Sequence, residues 1–135
     1  MEMDRDFEIY HAGPNEPIGK RLHVTFTPQR IIRLNRNAYE RFGRPSAVRL
    51  AYSRTRDTIW VEAVAPGQPG AFPVIADHIA WRINAAPFCR HFRIHPETTL
   101  RFTEPQIEGQ TMLLRLHQTV SVARPKRAGK RAKKE

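Results

Sequence analysis

The sequence predicts a small α+β protein in which two βαββ repeats share one core. Two observations predict this fold. The frame Arg, Leu or Ile, Asn, three variable residues, Tyr or Phe, one variable residue and Arg occurs at residues 33–41 and again at 82–90. In both copies an apolar segment precedes the Asn, and a short helical pattern and two strand-like runs follow it. A repeated unit of this kind indicates that the fold is built from two similar halves. Two copies are too few for a solenoid.

The length of 135 residues fits one domain, which buries about two-thirds of the surface of its unfolded chain. We predict an N-terminal extension (1–21), a first repeat (22–65), a linker (66–71), a second repeat (72–122) and a disordered basic tail (123–135). The linker contains two Pro and two Gly in five residues, which interrupt regular structure. The tail has no apolar periodicity, so it cannot offset the entropy lost on ordering.

The first repeat follows a segment in which a short strand could occupy residues 7–11. Within the repeat, alternating apolar residues predict strands at 22–26, 31–34, 48–52 and 59–64. The last two are expected to form a hairpin. Asn35 stands where a helix N-cap belongs, and Gly43 is suited to end that helix in the left-handed conformation.

The second repeat is predicted to have strand material at 72–75 and 79–83 and a second hairpin from runs at 99–103 and 112–116. Asn84 again precedes a short helix, over 85–92, in which Pro87 is tolerated because it lies in the first turn. Helix and strand aromatics at apolar positions usually pack in the core. On this basis we expect the core to include most of Tyr39, Phe42, Trp60, Trp81, Phe88 and Phe92.

The net charge of +10 indicates nucleic acid or an anionic surface as a partner. The charge is segregated, because acidic residues predominate before Pro17 and seven basic residues occur from Arg124 onward. Arg is dense in the first repeat, and no Lys occurs between Lys20 and Lys126. Arg is the better side chain for bidentate contacts with phosphate or guanine.

A single cysteine, Cys89, excludes an intramolecular disulfide and favours a reducing compartment. The first residues lack the pattern of a signal peptide, and no run approaches about 18 apolar residues. We therefore expect a cytoplasmic protein without a membrane partner.

The first repeat resembles the swapped-hairpin DNA-binding superfamily typified by AbrB and MraZ. In that family a strand leads into a short helix rich in Leu and Arg, which closes at Leu-Gly before a two-stranded hairpin. Here Leu34-Asn35, Phe42-Gly43 and the two following strand runs have that order. The second repeat follows it through Ile83-Asn84, so the chain resembles the two-repeat MraZ arrangement. The resemblance implies a swapped-hairpin-like barrel and a bacterial regulator that binds duplex DNA.

Two groups of basic residues are the candidate nucleic-acid contacts. The resemblance implies a first group near the strand and helix of each repeat: Arg30, Arg33, Arg36, Arg41, Arg44, Arg82, Arg90 and Arg93. A pseudo-twofold axis would relate Arg33 to Arg82 and Arg41 to Arg90, which suits a twofold DNA site. The tail supplies the second group, whose phosphate contacts add affinity without reading sequence. Its members are Lys126, Arg127, Lys130, Arg131, Lys133 and Lys134.

Residues Cys89, His91 and His95 do not predict a metal site, since a structural zinc needs four ligands and a second Cys is absent. Cys89 and His91 are two apart on the predicted helix and point to different sides, so a Cys–His nucleophile is not expected. The seven glycines do not approach a phosphate-binding loop. We predict no cofactor, no metal and no enzymatic activity.

The function predicted is DNA binding, as a transcriptional regulator or an antitoxin-like repressor associated with the nucleoid. Duplex DNA is favoured over RNA, and a homo-oligomer is possible because swapped-hairpin folds often form dimers or rings. Two alternatives stay open. The same basic residues would serve an RNA- or ribosome-associated protein, and the acidic start and basic end would serve a protein–protein adaptor without nucleic acid.

Overall fold

The computed structural model describes residues 22–122, which form eleven strands and two helices. The strands are β1 (Val24–Phe26), β2 (Ile31–Asn35), β3 (Ala47–Ser53), β4 (Thr58–Val64), β5 (Phe72–Pro73), β6 (Ile75–Asp77), β7 (Ala80–Asn84), β8 (Leu100–Phe102), β9 (Gln106–Glu108), β10 (Thr111–Arg115) and β11 (Thr119–Ser121). The helices are α1 (Arg36–Arg41) and α2 (Ala86–Phe92). This part of the chain is mostly β, in agreement with the α+β class. The strand predicted at 7–11 and the tail from 123 onward lie outside the described residues.

The strands form two antiparallel sheets. Sheet A has the order β11-β8-β1-β2-β7-β6, and sheet B has the order β5-β3-β4-β10-β9. Each sheet keeps two free edges, so residues 22–122 do not form a closed barrel and that prediction is wrong. Each edge strand has only two or three residues. Such short edges offer few backbone groups with which the ends of a sheet could join.

One apolar core joins both sheets and both helices. Sheet A contributes Phe26 and Ile32, and sheet B contributes Ile59 and Met112, each with no exposed surface. Burying a side chain of this size contributes about 1.5–3 kcal/mol relative to leaving it exposed. Because both sheets turn their apolar faces to this core, their other faces point away from it.

Helix α1 begins and ends as the sequence predicts. Asn35 is its N-cap, and the side-chain Oδ1 accepts a hydrogen bond from the Ala38 N–H at 3.0 Å. The same oxygen accepts from the His23 N–H at 3.1 Å, which ties the helix to the chain entering β1. Gly43 follows the helix with φ of +91°, a conformation that a residue with a Cβ rarely adopts.

Helix α2 differs from the prediction at its first residue. Strands β2 and β7 both end at the Asn of the frame, Asn35 and Asn84. The N-cap of α2 is nevertheless Ala85, and no side chain caps the helix. Pro87 lies in the first turn, as expected. At the other end Arg93 takes the left-handed conformation with φ of +60°. Relative to the Asn of the frame, α2 therefore begins one residue later than α1, and Asn84 precedes the N-cap residue.

The hairpin predicted in the first repeat is confirmed, and the hairpin predicted in the second repeat is wrong. Strands β3 and β4 pair over seven residues. In the second repeat, β8 pairs with β1 and β11 in sheet A, whereas β10 pairs with β4 and β9 in sheet B. Residues 66–71 contain no strand or helix, in keeping with a linker.

The aromatic residues predicted for the core are not all buried. Phe42 and Phe88 are buried, but Trp60 is 49% exposed, so its assignment to the core is wrong. On β4 it alternates with the buried Ile59 and Val61 and therefore faces outward.

Neither helix within residues 22–122 has the length and apolar content needed to cross a membrane.

Substitution Asn35→Ala is expected to lower the free energy of unfolding by about 1–2 kcal/mol, because it removes an acceptor shared by two backbone N–H groups. The matched control is Asn84→Ala, at the equivalent position of the second repeat, where the side chain is exposed and caps no helix. Its effect should stay within about 0.5 kcal/mol. Urea unfolding of both variants checks the difference, and equal losses would contradict the assigned capping role.

Candidate nucleic-acid interface

The outward face of sheet A carries arginines because its central strands alternate. On β2, Ile32 and Leu34 are buried and Arg33 between them is exposed. On β7, Ile83 is buried and the preceding Arg82 faces outward. Successive side chains of a strand point to opposite faces of the sheet. The alternation therefore fixes both arginines on the face that points away from the core.

A row of directly opposed residues crosses all six strands of sheet A on this face. Residues directly opposite each other on neighbouring strands share a face of the sheet. The row consists of Val120, Arg101, Thr25, Arg33, Arg82 and Ile75. We call it the arginine row, since its central four strands carry three arginines. Neighbouring strands lie about 4.8 Å apart, so Arg101 and Arg82, separated by three spacings, are about 14 Å apart along the row.

One carboxylate lies beside the two central arginines. The Oδ2 atom of Asp77 lies 2.6 Å from Nη2 of Arg33 and 3.5 Å from Nη1 of Arg82. Directly opposed like charges destabilise a sheet, and Asp77 offsets that repulsion. The side chains of Arg33 and Arg82 nevertheless stay 44% and 31% exposed. With three arginines and one carboxylate, the face has a formal excess of two positive charges.

The two central arginines also occupy equivalent positions of the repeated frame. Strands β2 and β7 run antiparallel with Arg33 directly opposite Arg82, and Ile32 opposite Ile83. An approximate twofold axis that exchanges the two frames therefore passes between these arginines. This is the pairing that the repeat suggests for Arg33 and Arg82.

Arg30 has contacts of a different kind. It lies in the turn between β1 and β2 with φ of +65°, and its carbonyl accepts a hydrogen bond from the Ala85 N–H at 3.0 Å. Its guanidinium is hydrogen-bonded to Nδ1 of His95. These contacts tie the β1–β2 turn to both ends of the α2 segment. The structure thus places Arg30 in a turn-to-helix contact and away from the arginine row.

The other candidate arginines of the repeats lie on the helices or directly after them. Four of them are exposed but do not belong to the arginine row: Arg36 and Arg41 on α1, Arg90 on α2, and Arg93 at the end of α2. Arg44 follows α1, and its Nη2 lies 3.3 Å from Oε2 of Glu40, with most of its side chain exposed. Of the eight candidates, only Arg33 and Arg82 are brought together in the arginine row.

The tail candidates lie outside the described residues; they are Lys126, Arg127, Lys130, Arg131, Lys133 and Lys134.

Two residues of the face were not among the candidates. Arg101 joins the row because β8 pairs with β1, a pairing between distant parts of the chain. Asp77 had only a weak signal, as an acidic residue two positions before the apolar run of β7. Strand alternation would have found the exposed Trp60.

The region of Cys89 has no metal-binding geometry. Among residues 22–122, no three or more His, Cys, Asp or Glu side chains are grouped to hold a metal ion. Cys89 is fully buried, and burial raises the pKa of its thiol to about 11, against a smaller lowering by the nearby Arg30 charge. The His91 ring packs edge-on against Phe92, with centroids 4.6 Å apart. Cys89 is a core residue by these contacts.

No family model, curated protein or solved structure matches this chain. The function of the face therefore has to be argued from its own geometry and charge.

Thiol labelling tests the environment of Cys89. With a pKa of about 11, roughly one thiol in a thousand is ionised at pH 8, and the thiolate is the reactive form. Folded protein should react with a disulfide reagent at least about a hundredfold more slowly than the same protein in guanidinium chloride. Since the pKa is raised, the folded-state rate should climb as pH increases from 8 toward 11. Rapid labelling of folded protein at pH 8 would contradict the buried assignment.

Proposed function

We propose that this chain binds duplex DNA through the outward face of sheet A, as a bacterial transcriptional regulator of the AbrB and MraZ type. The observation that carries the proposal is the arginine row, in which Arg33 and Arg82 flank an approximate twofold axis and Arg101 extends the row. A palindromic DNA site has a twofold axis of its own. A protein with a matching axis presents the same contacts to both halves of such a site.

The order of the elements supports a repeat of the βαββ kind. In the first half, α1 follows β2 and leads to the β3–β4 hairpin. In the second half, α2 follows β7 and leads to the β9–β10 hairpin, with β8 inserted between them. The two halves meet through four strand pairs: β1 with β8, β2 with β7, β3 with β5 and β4 with β10. This supports two intertwined halves, in the form of open sheets.

The spacing of the arginines is close to the width of the DNA major groove. That groove is about 12 Å wide and admits a two-stranded ribbon. The arginines of the row, from Arg101 to Arg82, span about 14 Å by strand spacing. Arginine forms bidentate contacts both with phosphate oxygens and with the O6 and N7 atoms of guanine. In this arrangement the central arginines contact bases or the nearest phosphates, and Arg101 contacts a flanking phosphate. The basic tail adds affinity that is independent of sequence.

Substitution Arg33→Gln should weaken duplex binding about tenfold near 0.1 M salt and reduce the slope of log K against log salt by about 0.9, since one phosphate or base contact is lost. The matched control is Arg49→Gln. Arg49 is also a strand arginine paired with one carboxylate, Glu62 at 2.8 Å, but it lies on the outward face of sheet B. Fluorescence anisotropy with labelled duplex across a salt series measures both.

Equal weakening by the two substitutions would show that no particular face is used and would overturn the proposal. A variant with the six tail residues changed to Gln separates the tail from the face. If that variant alone abolishes binding and Arg33→Gln has no effect, the tail is the binding element. Competition with double-stranded RNA, whose major groove is deep and narrow, distinguishes a DNA-binding face from an RNA-binding one.

Substitution Asp77→Asn should strengthen duplex binding about two- to tenfold near 0.1 M salt. It removes the one carboxylate that competes with DNA for Arg33 and Arg82. The control Glu62→Gln frees Arg49 on sheet B in the same way and should leave duplex affinity unchanged. Weaker binding by Asp77→Asn would mean that the carboxylate positions the arginines instead of competing for them.

A further inference from the structure

The outward face of sheet B has an exposed tryptophan at its centre. Trp60 lies on β4, the middle strand of this sheet, directly opposite Ala51 on β3 and Leu113 on β10. Its side chain is 49% exposed, although a tryptophan at the centre of a sheet usually packs against other residues. The small Ala51 beside it leaves the indole uncovered on one side. No contact described above for the fold or for the arginine row uses this side chain.

The indole forms one wall of an open cleft of about 540 Å³. The turn that precedes β4 contributes Arg56, and β10 contributes Leu113 and Arg115 to the same cleft. His117 completes its basic side. A volume of this size is in the usual range for small-molecule and cofactor sites, about 300–1,000 Å³. The cleft can therefore hold a nucleotide-sized group.

The charge of the cleft favours an anion next to an aromatic or apolar surface. Two arginines and one carboxylate, Asp57, give a formal charge of +1 with His117 neutral. Asp57 already accepts a hydrogen bond from the Tyr52 hydroxyl at 2.7 Å, and that bond raises the pKa of Tyr52. The Arg115 guanidinium is oriented by a hydrogen bond to Gln106 across the β9–β10 pair. The cleft thus combines two arginines with the apolar surface of the indole and Leu113.

We propose that this cleft binds an unpaired nucleotide of single-stranded nucleic acid. The base stacks on Trp60 over Leu113, and the adjoining phosphate contacts Arg56 and Arg115. Stacking on an aromatic side chain tolerates any base, and arginines beside it track the phosphate backbone. The site lies on the outward face of sheet B, whereas the arginine row lies on the outward face of sheet A, so the two share no residue. A protein with both faces could hold a duplex and an unpaired strand together.

The test is anisotropy of a labelled oligothymidine of about eight nucleotides, a length within the range bound by single-strand proteins. Substitution Trp60→Leu should weaken binding about fivefold or more, because it removes the stacking surface. Trp60→Phe should restore most of the affinity, because a phenyl ring also stacks. Arg115→Gln should reduce the salt slope by about 0.7, the value for one phosphate on a single strand. Its matched control, Arg49→Gln on the same sheet but outside the cleft, should have little effect.

A second measurement follows Trp60 itself. The chain has two tryptophans, and Trp81→Phe leaves Trp60 as the only one, so that tryptophan emission reports on it alone. Saturable quenching of its emission by the oligothymidine, absent with an unlabelled duplex of equal concentration, is the expected result. Anisotropy on the otherwise unchanged chain keeps the test valid if Trp81→Phe disturbs the stack of Trp81 on Tyr39.

Unchanged affinity of Trp60→Leu for the oligothymidine would overturn the proposal. The proposal would also be overturned if Trp60→Leu changed the sedimentation coefficient of the protein and left its affinity for the oligonucleotide unchanged. In that case the cleft would be a contact between copies of this chain. The two faces are separable in the same assays. Trp60→Leu should leave duplex affinity unchanged, and Arg33→Gln should leave the Trp60 quenching unchanged, so failure of one proposal leaves the other standing.

Discussion

The antiparallel pairing of β2 with β7 is the contact on which the rest of the molecule depends. It joins the two halves of the chain through five residue pairs, from Ile31 with Asn84 to Asn35 with Ala80. Each helix follows directly on one of these strands, so the pairing also sets where both helices lie. On the inner face it brings Ile32 against Ile83 in the core. A one-residue slip would turn these apolar side chains to solvent, which is why the register is strongly specified.

The same register creates the charge on the outer face. Because inner and outer residues alternate, placing Ile32 opposite Ile83 obliges Arg33 to stand opposite Arg82. Two like charges at that distance disfavour the sheet, and Asp77 provides the compensating carboxylate from the neighbouring strand. The charges on this face therefore stabilise the sheet and also leave arginines that an anionic partner can contact. An anionic ligand can take the place of Asp77, since both arginines remain partly exposed.

Sheet B is built on the same plan but carries different chemistry outward. Its central pair, β4 with β10, places Trp60 opposite Leu113, where sheet A has two arginines. The outer charges beside them are already paired, as in Arg49 with Glu62. Sheet A thus presents guanidinium groups on its outward face, and sheet B presents an indole in a cleft that two arginines also line. We propose different forms of nucleic acid as the partners of the two surfaces.

The sequence by itself determined the local features: the Asn35 cap, the glycine that ends α1, the β3–β4 hairpin and the equivalence of Arg33 with Arg82. Each depends on residues close in the chain, or on a repeat that can be read directly. Only the tertiary structure decided that β8 leaves its expected partner for β1, which brings Arg101 into the arginine row. The alternation of apolar and polar residues along a strand indicates which face of the sheet each side chain occupies. It does not indicate which strand lies beside it. Strand partners are chosen by packing between distant segments, and so the arginine row, Asp77 beside it and the cleft at Trp60 became visible only in three dimensions.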